Sequence, residues 1–131
     1  MSPAFPKRAD NIRESSFKVT NTSKNTVLAD KAEVADTFLK RLIGLLRRKS
    51  LSQGEALILI PSNSIHSFFM RFSIDVLFLD KSGRVVKTIV FLSPWRLTKV
   101  YFKAHLTIEL PVGTIERTST QEGDTVSILK N

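Results

Sequence analysis

The chain of 131 residues contains no cysteine. Disulfides, thiolate metal sites and a cysteine nucleophile are therefore excluded. The lack of cysteine suits a reducing cytoplasm, although many exported bacterial proteins share it. No apolar run approaches the length needed to cross a bilayer. Met1 to Lys24 carries Pro3, Pro6 and scattered charge with no apolar core, so no signal peptide is read there and a cytoplasmic location is the expectation. There is no G-x-S-x-G, and hence no nucleophile elbow. No glycine-rich phosphate loop occurs either. Internal repeats are absent.

What is present in excess is positive charge. Twenty Lys and Arg face twelve Asp and Glu, a formal charge of +8, which raises the local concentration of anionic partners. Lys40, Arg41, Arg47, Arg48 and Lys49 form one cluster, and Arg96, Lys99 and Lys103 another.

Residues 1–16 read as a flexible leader, rich in Pro, Ser, Asn and charge, followed by one domain over 17–131. Phe17 to Thr20 reads as a short edge strand, and Thr26 to Ala35 as one or two strands. Asp36-Thr37 offers a helix N-cap. Phe38, Leu39, Leu42, Ile43, Leu45 and Leu46 follow at helical spacing, and Arg47 to Lys49 suit the negative end of the helix dipole. Ala56 to Ile60 reads as an apolar strand ended by Pro61. Ile65 to Phe72 is expected to be extended, and Asp75 to Asp80 to be a central strand. Asp80-Lys-Ser-Gly83 is a hairpin turn, with Arg84 to Leu92 as the return strand. Val100 to Leu110 alternates as one long strand, Pro111 and Gly113 turn the chain, and Asp124 to Leu129 is the last strand. This pattern predicts a mainly β, β-rich α+β fold: a compact antiparallel β sandwich or barrel with one short helix packed on it.

Several of these segments recur together in a known order: Val34-Ala-Asp-Thr37, Gly44-Leu-Leu-Arg47, Ser50-Leu51, Gly54-Glu-Ala-Leu57, His66-Ser-Phe-Phe-Met-Arg71, Ile74-Asp-Val-Leu-Phe-Leu-Asp80, Gly83-Arg-Val-Val86, Glu109-Leu-Pro-Val-Gly-Thr114 and Gly123-Asp-Thr-Val126. In this the chain, from about Val27 to Val126, resembles the prokaryotic family called domain of unknown function 192. It departs from the commonest pattern at Ser73, where proline is usual. The resemblance implies a compact β-rich fold and no particular activity.

The segment from His66 to Asp80 sets an imidazole, a guanidinium and two carboxylates beside the most apolar strand. If His66, Arg71 and Asp75 converge, Arg71 could hold a carboxylate or phosphate with His66 as proton carrier. The structural alternative is an Arg71–Asp75 ion pair, with His66 bonded to a backbone carbonyl. His105 and Glu109 fall on one face of one strand, but four residues at ~3.3 Å rise set them about 13 Å apart, too far for a dyad. Trp95, in the Pro94-Trp-Arg96 break, is either a recognition anchor or a plug for the end of the core. The two histidines and scattered carboxylates show no metal-ligand spacing.

The sequence therefore predicts a small soluble bacterial binding module with a polar pocket for a small anion or peptide segment, and with no cofactor, metal or membrane insertion. The residues assigned to the pocket are His66, Arg71, Asp75, Trp95, Arg96, His105 and Glu109. Without a complete catalytic set the reading leans away from an enzyme. A hydrolase or lyase using a histidine and a carboxylate stays open as an alternative, as does weak binding of nucleic acid or another anionic polymer through the basic clusters.

Overall fold

The computed structural model describes residues 16–35 and 50–131. The helix expected from Asp36, the basic cluster from Lys40 to Lys49 and the leader before Ser16 lie outside the described residues. The elements are β1 (Phe17–Asn21), β2 (Thr26–Ala35), β3 (Glu55–Leu59), β4 (Ile74–Leu79), β5 (Val85–Leu92), β6 (Leu106–Pro111), α1 (Thr114–Thr118) and β7 (Val126–Lys130). They form one seven-stranded sheet in the order β5-β4-β6-β3-β2-β1-β7. All neighbours are antiparallel except β2 and β3, which run parallel. A parallel pair requires the chain to return from one end of the sheet to the other between the two strands.

The sheet curls until its two outermost strands meet at one end. Arg84 bridges Thr125, the Val85 N–H donates to the Asp124 carbonyl at 2.8 Å, and the Val126 N–H donates to the Gly83 carbonyl at 2.8 Å. The result is a strand-dominated half-barrel, as the sequence predicts. Gly83 sits at φ +88° in the β4–β5 turn, the backbone conformation for which that hairpin selects glycine.

Period-two alternation divides the apolar side chains between two faces. Leu77, Leu79, Ala56, Ile58, Ile108 and Leu110 join one core. Ile74, Val76, Phe78, Leu57 and Leu59 join the other. β4 is buried along its whole length, which explains its nearly uninterrupted hydrophobic sequence.

Two local expectations are corrected. Residues 65–72 do not form a strand: the chain turns at Phe68 and Phe69, with Phe69 at φ +67°. The strand read from Val100 begins only at Leu106, because Tyr101 to Ala104 forms a turn closed by the Ala104 N–H on the Tyr101 carbonyl at 2.8 Å. Alternation there reflects a solvated loop, with Phe102 88% exposed. The Pro111–Gly113 turn opens a helical turn, α1, which packs beside β2 and β5.

Candidate binding rim

Two loops meet above the β4–β5 end of the sheet. Ser67, fully buried, is the fastener. Its hydroxyl donates to the Ser93 carbonyl at 2.6 Å and accepts the Arg96 N–H at 2.9 Å. Its backbone N–H donates to the Arg96 carbonyl, and its carbonyl accepts the Trp95 N–H at 3.0 Å. The Thr98 N–H donates to the Ile65 carbonyl, the Thr98 hydroxyl accepts the Ile65 N–H, and His66 bridges Leu97. Segments 65–70 and 93–98 are thereby clamped into an arch. Met70 and Ile65 turn down into the core.

With its polar backbone atoms satisfied inside, the arch presents rings outward. His66 stacks on Phe68 at 4.7 Å between centroids, Phe68 lies 6.1 Å from Trp95, and Phe69 tilts against Trp95 at 4.6 Å. Trp95 and Phe69 are each 60% exposed, and Leu97 beside them more so. Phe69, Trp95 and Phe91 all take positive φ, at +67°, +65° and +62°. Bulky residues rarely adopt this conformation, and it persists only where the surroundings enforce it. Phe91 precedes Ser93 by two residues and is 58% exposed.

The seven residues singled out from sequence separate in the fold. His66, Trp95 and Arg96 come together in the arch, with exposed Arg71 one residue past its turn. Asp75 and Glu109 are fully buried on neighbouring strands, but on opposite faces of the sheet: Asp75 shares the side of Leu77 and Leu79, while Glu109 lies opposite Val76 on the other side. Asp75 spends its carboxylate on backbone. Oδ1 accepts the Phe91 N–H at 3.0 Å, and Oδ2 accepts those of Gly113 and Ile115 at 3.1 and 3.0 Å. Among the described residues Arg71 forms no ion pair with it. The His66 Nδ1 accepts the Phe68 N–H at 3.3 Å. His105 stands apart from the arch. Its N–H donates to the Leu79 carbonyl and its carbonyl accepts the Ser62 N–H.

Two further acids are held below the usual carboxylate range. Asp80 is lowered first by the Ser82 hydroxyl, then by the amides of Arg84 and Ser82 and the Arg84 charge. For Asp124, burial pushes its carboxyl up. Hydrogen bonds from Asn21, Lys24 and the Gln121 amide, with the Lys24 charge, pull harder in the other direction. Both are structural knots of turns. Among the described residues no three His, Asp or Glu side chains group closely enough to hold a metal ion, and no helix is long and apolar enough to cross a membrane.

Sequence reasoning passed over Ser67, Phe69, Phe91 and Leu97. Phe69 and Phe91 look like core residues in apolar segments, and only the backbone reversal turns them outward. One signal was in plain sight. No Asp or Glu occurs in 56–74 or in 81–108, whereas these stretches hold Arg71, Lys81, Arg84, Lys87, Arg96, Lys99 and Lys103. Both segments of the arch come from these acid-free stretches.

The fold has solved counterparts. A protein of unknown function from Novosphingobium aromaticivorans superposes with a TM-score of 0.72 over 86% of this chain and 83% of its own, at 21% identity. A UPF0127 protein of Thermococcus kodakarensis is 39% identical over 115 residues, covering 83% of this chain and 71% of the relative. One from Pyrococcus horikoshii is 36% identical over 113 residues, covering 82% and 96%. These two relatives are archaeal, so membership of their group carries no bacterial assignment. Residues 18–128 match the model of DUF192, described as "Uncharacterized ACR", and the chain belongs to that family.

Proposed function

We propose that this protein is a non-catalytic binding module that takes an acidic, extended peptide segment across the arch. The observation that carries the reading is the trio Phe69, Phe91 and Trp95, each more than half exposed at a positive φ. Backbone strain at bulky residues is maintained where it serves a site, and exposed aromatics beside arginine are the usual anchors of protein recognition. The charge of the occupant follows from the acid-free stretches. Arg71 and Arg96 are exposed beside the rings, and a guanidinium pairs with a carboxylate through two parallel hydrogen bonds. The carboxylates that the hydrolase or lyase alternative would set beside His66, Asp75 and Glu109, are both buried, on opposite faces of the sheet.

The single tryptophan of the chain lies in the rim, so its fluorescence reports occupancy directly. Titration with a short peptide alternating Glu and Leu is expected to give a saturable change, weakened by Arg96→Glu and by added salt. A matching Lys and Leu peptide should give none. Equal responses to both peptides, or none to either, would overturn the proposal. A response to heparin that equals the acidic peptide's would reassign the rim to anionic polymers.

A further inference from the structure

A second feature lies away from the arch and does not depend on it. His105 and Ala104 line two adjoining depressions of about 300 and about 460 Å³. The smaller is completed by Pro61, Ser62 and Asn63, the larger by Asp80, Lys81, Ser82, Phe102 and Lys103. Both volumes fall at the small end of the range for small-molecule sites, about 300 to 1,000 Å³.

The position of His105 is fixed by the fold. Its N–H is bonded to Leu79 at the end of β4 at 2.7 Å, and its carbonyl takes the Ser62 N–H at 2.9 Å. The imidazole is half-buried, and among the described residues it has no hydrogen-bond partner. Two ring nitrogens thus remain to meet a ligand. The Tyr101–Ala104 turn holds Phe102 and Lys103 at the mouth, with the Phe102 ring almost fully in solvent. Lys81 lines the same depression. The one carboxylate lining the site, Asp80, has its Oδ1 bonded within its own turn by the Ser82 N–H, the Ser82 hydroxyl and the Arg84 N–H at 2.9, 2.7 and 3.0 Å. Two ammonium groups against one carboxylate leave the recess with an excess of positive charge, attractive to an anion. An exposed flat ring beside those charges is a platform for another flat ring.

We infer that the depression beside His105 binds a phosphate monoester carried on a planar heterocycle, a nucleoside monophosphate in chemical class. Lys81, Lys103 and the imidazole receive the phosphate, and Phe102 stacks on the ring. Ammonium groups serve phosphate as mobile point charges, and stacking on an aromatic side chain tolerates different bases because each has a π-face.

The test is titration of the full chain with adenosine monophosphate, adenosine and inorganic phosphate, followed by the imidazole resonances, with His66 as the internal control. The monophosphate should shift His105 saturably and leave His66 unmoved. Adenosine and phosphate alone should bind weaker by on the order of tenfold, and Phe102→Ala and Lys103→Glu should each weaken the monophosphate by a similar factor. Both side chains are exposed, so these variants keep the fold. No shift at His105, equal affinity for phosphate and monophosphate, or unchanged affinity in Phe102→Ala would each overturn the inference.

Discussion

Asp75 and Phe91 are joined across the β4–β5 pair, side chain to backbone: Oδ1 of Asp75 accepts the Phe91 N–H at 3.0 Å. The ladder shifts register here. Ile74 pairs with Leu92 and Val76 with Ile89, which leaves an extra residue in β5. Such a bulge strands an amide that the neighbouring strand cannot satisfy. The buried carboxylate supplies the missing acceptor, and the bulge lets Phe91 point outward at positive φ. The other oxygen collects the Gly113 and Ile115 amides at the start of α1. One side chain therefore fixes a rim aromatic and anchors the helical turn.

Replacing Asp75 with Asn keeps the size but puts an NH2 where one oxygen accepts hydrogen bonds. At least one buried backbone N–H then faces a donor. The expected loss is about 2–3 kcal/mol, read as a lower midpoint in urea with an unchanged slope. The amide resonances of Phe91 or of Gly113 and Ile115 should move with it. A variant as stable as the parent would remove Asp75 from this role.

Asp124 gives the chain a defined response to acid. Its folded carboxyl titrates below the ordinary value of 3.8, so the native state favours the ionised form and the unfolded chain takes up the proton first. The stabilisation is complete above about pH 5 and is lost as pH falls through 3.8 and then through the lower folded value. Asp80 acts in the same direction, so some slope survives its neighbour's removal. Asp124→Asn should be less stable at neutral pH by about 2 kcal/mol. Its midpoint should also change less than the parent's between about pH 5 and pH 3. Parallel curves for the two proteins would contradict the assignment.

The fold was legible where residue pattern and local chemistry agree. β4 and β3 declare themselves by apolar runs, and Asp80 to Gly83 by its turn residues. The arch was not legible, because its conformation comes from pairing between segments some thirty residues apart, through Ser67 to Ser93 and Arg96. No local propensity encodes that. The role of Asp75 was hidden for a related reason. A carboxylate beside an arginine in sequence suggests an ion pair, yet the amides that claim it lie 16 to 40 positions away. Trp95 and Arg96 were recognisable as a break in strand pattern, whereas which rings flank them required the backbone.

Ser67 offers a direct probe of the arch. In Ser67→Ala the Ser93 carbonyl and the Arg96 N–H lose their shared hydroxyl, at about 1–2 kcal/mol for the pair. The Trp95 N–H keeps its bond to the residue 67 carbonyl, so the chain stays folded while the 93–96 loop loosens. The Phe69–Trp95 contact should weaken, and acrylamide should quench the single tryptophan more strongly than in the parent. Unchanged quenching together with unchanged stability would show that the hydroxyl does not organise the rim.

The closure of the half-barrel can be tested by two glycines in similar backbone conformations. Gly83 and Gly123 lie at φ +88° and +95°, so alanine at either position carries a left-handed backbone penalty of about 1–2 kcal/mol. Their surroundings differ. A Cβ on Gly83 would stand 2.6 Å from the Val126 carbonyl oxygen, a backbone atom that cannot rotate away, whereas one on Gly123 meets nothing within 4 Å. Relieving the first contact means separating Gly83 from Val126, and their backbones are bonded at 2.8 Å where the outermost strands meet. Gly83→Ala should therefore cost about 1–3 kcal/mol more than Gly123→Ala, the usual range for forced overpacking, with faster hydrogen exchange at the Val85 and Val126 amides. Equal losses in the two variants would mean that the strand ends separate freely and that their contact contributes little to the fold.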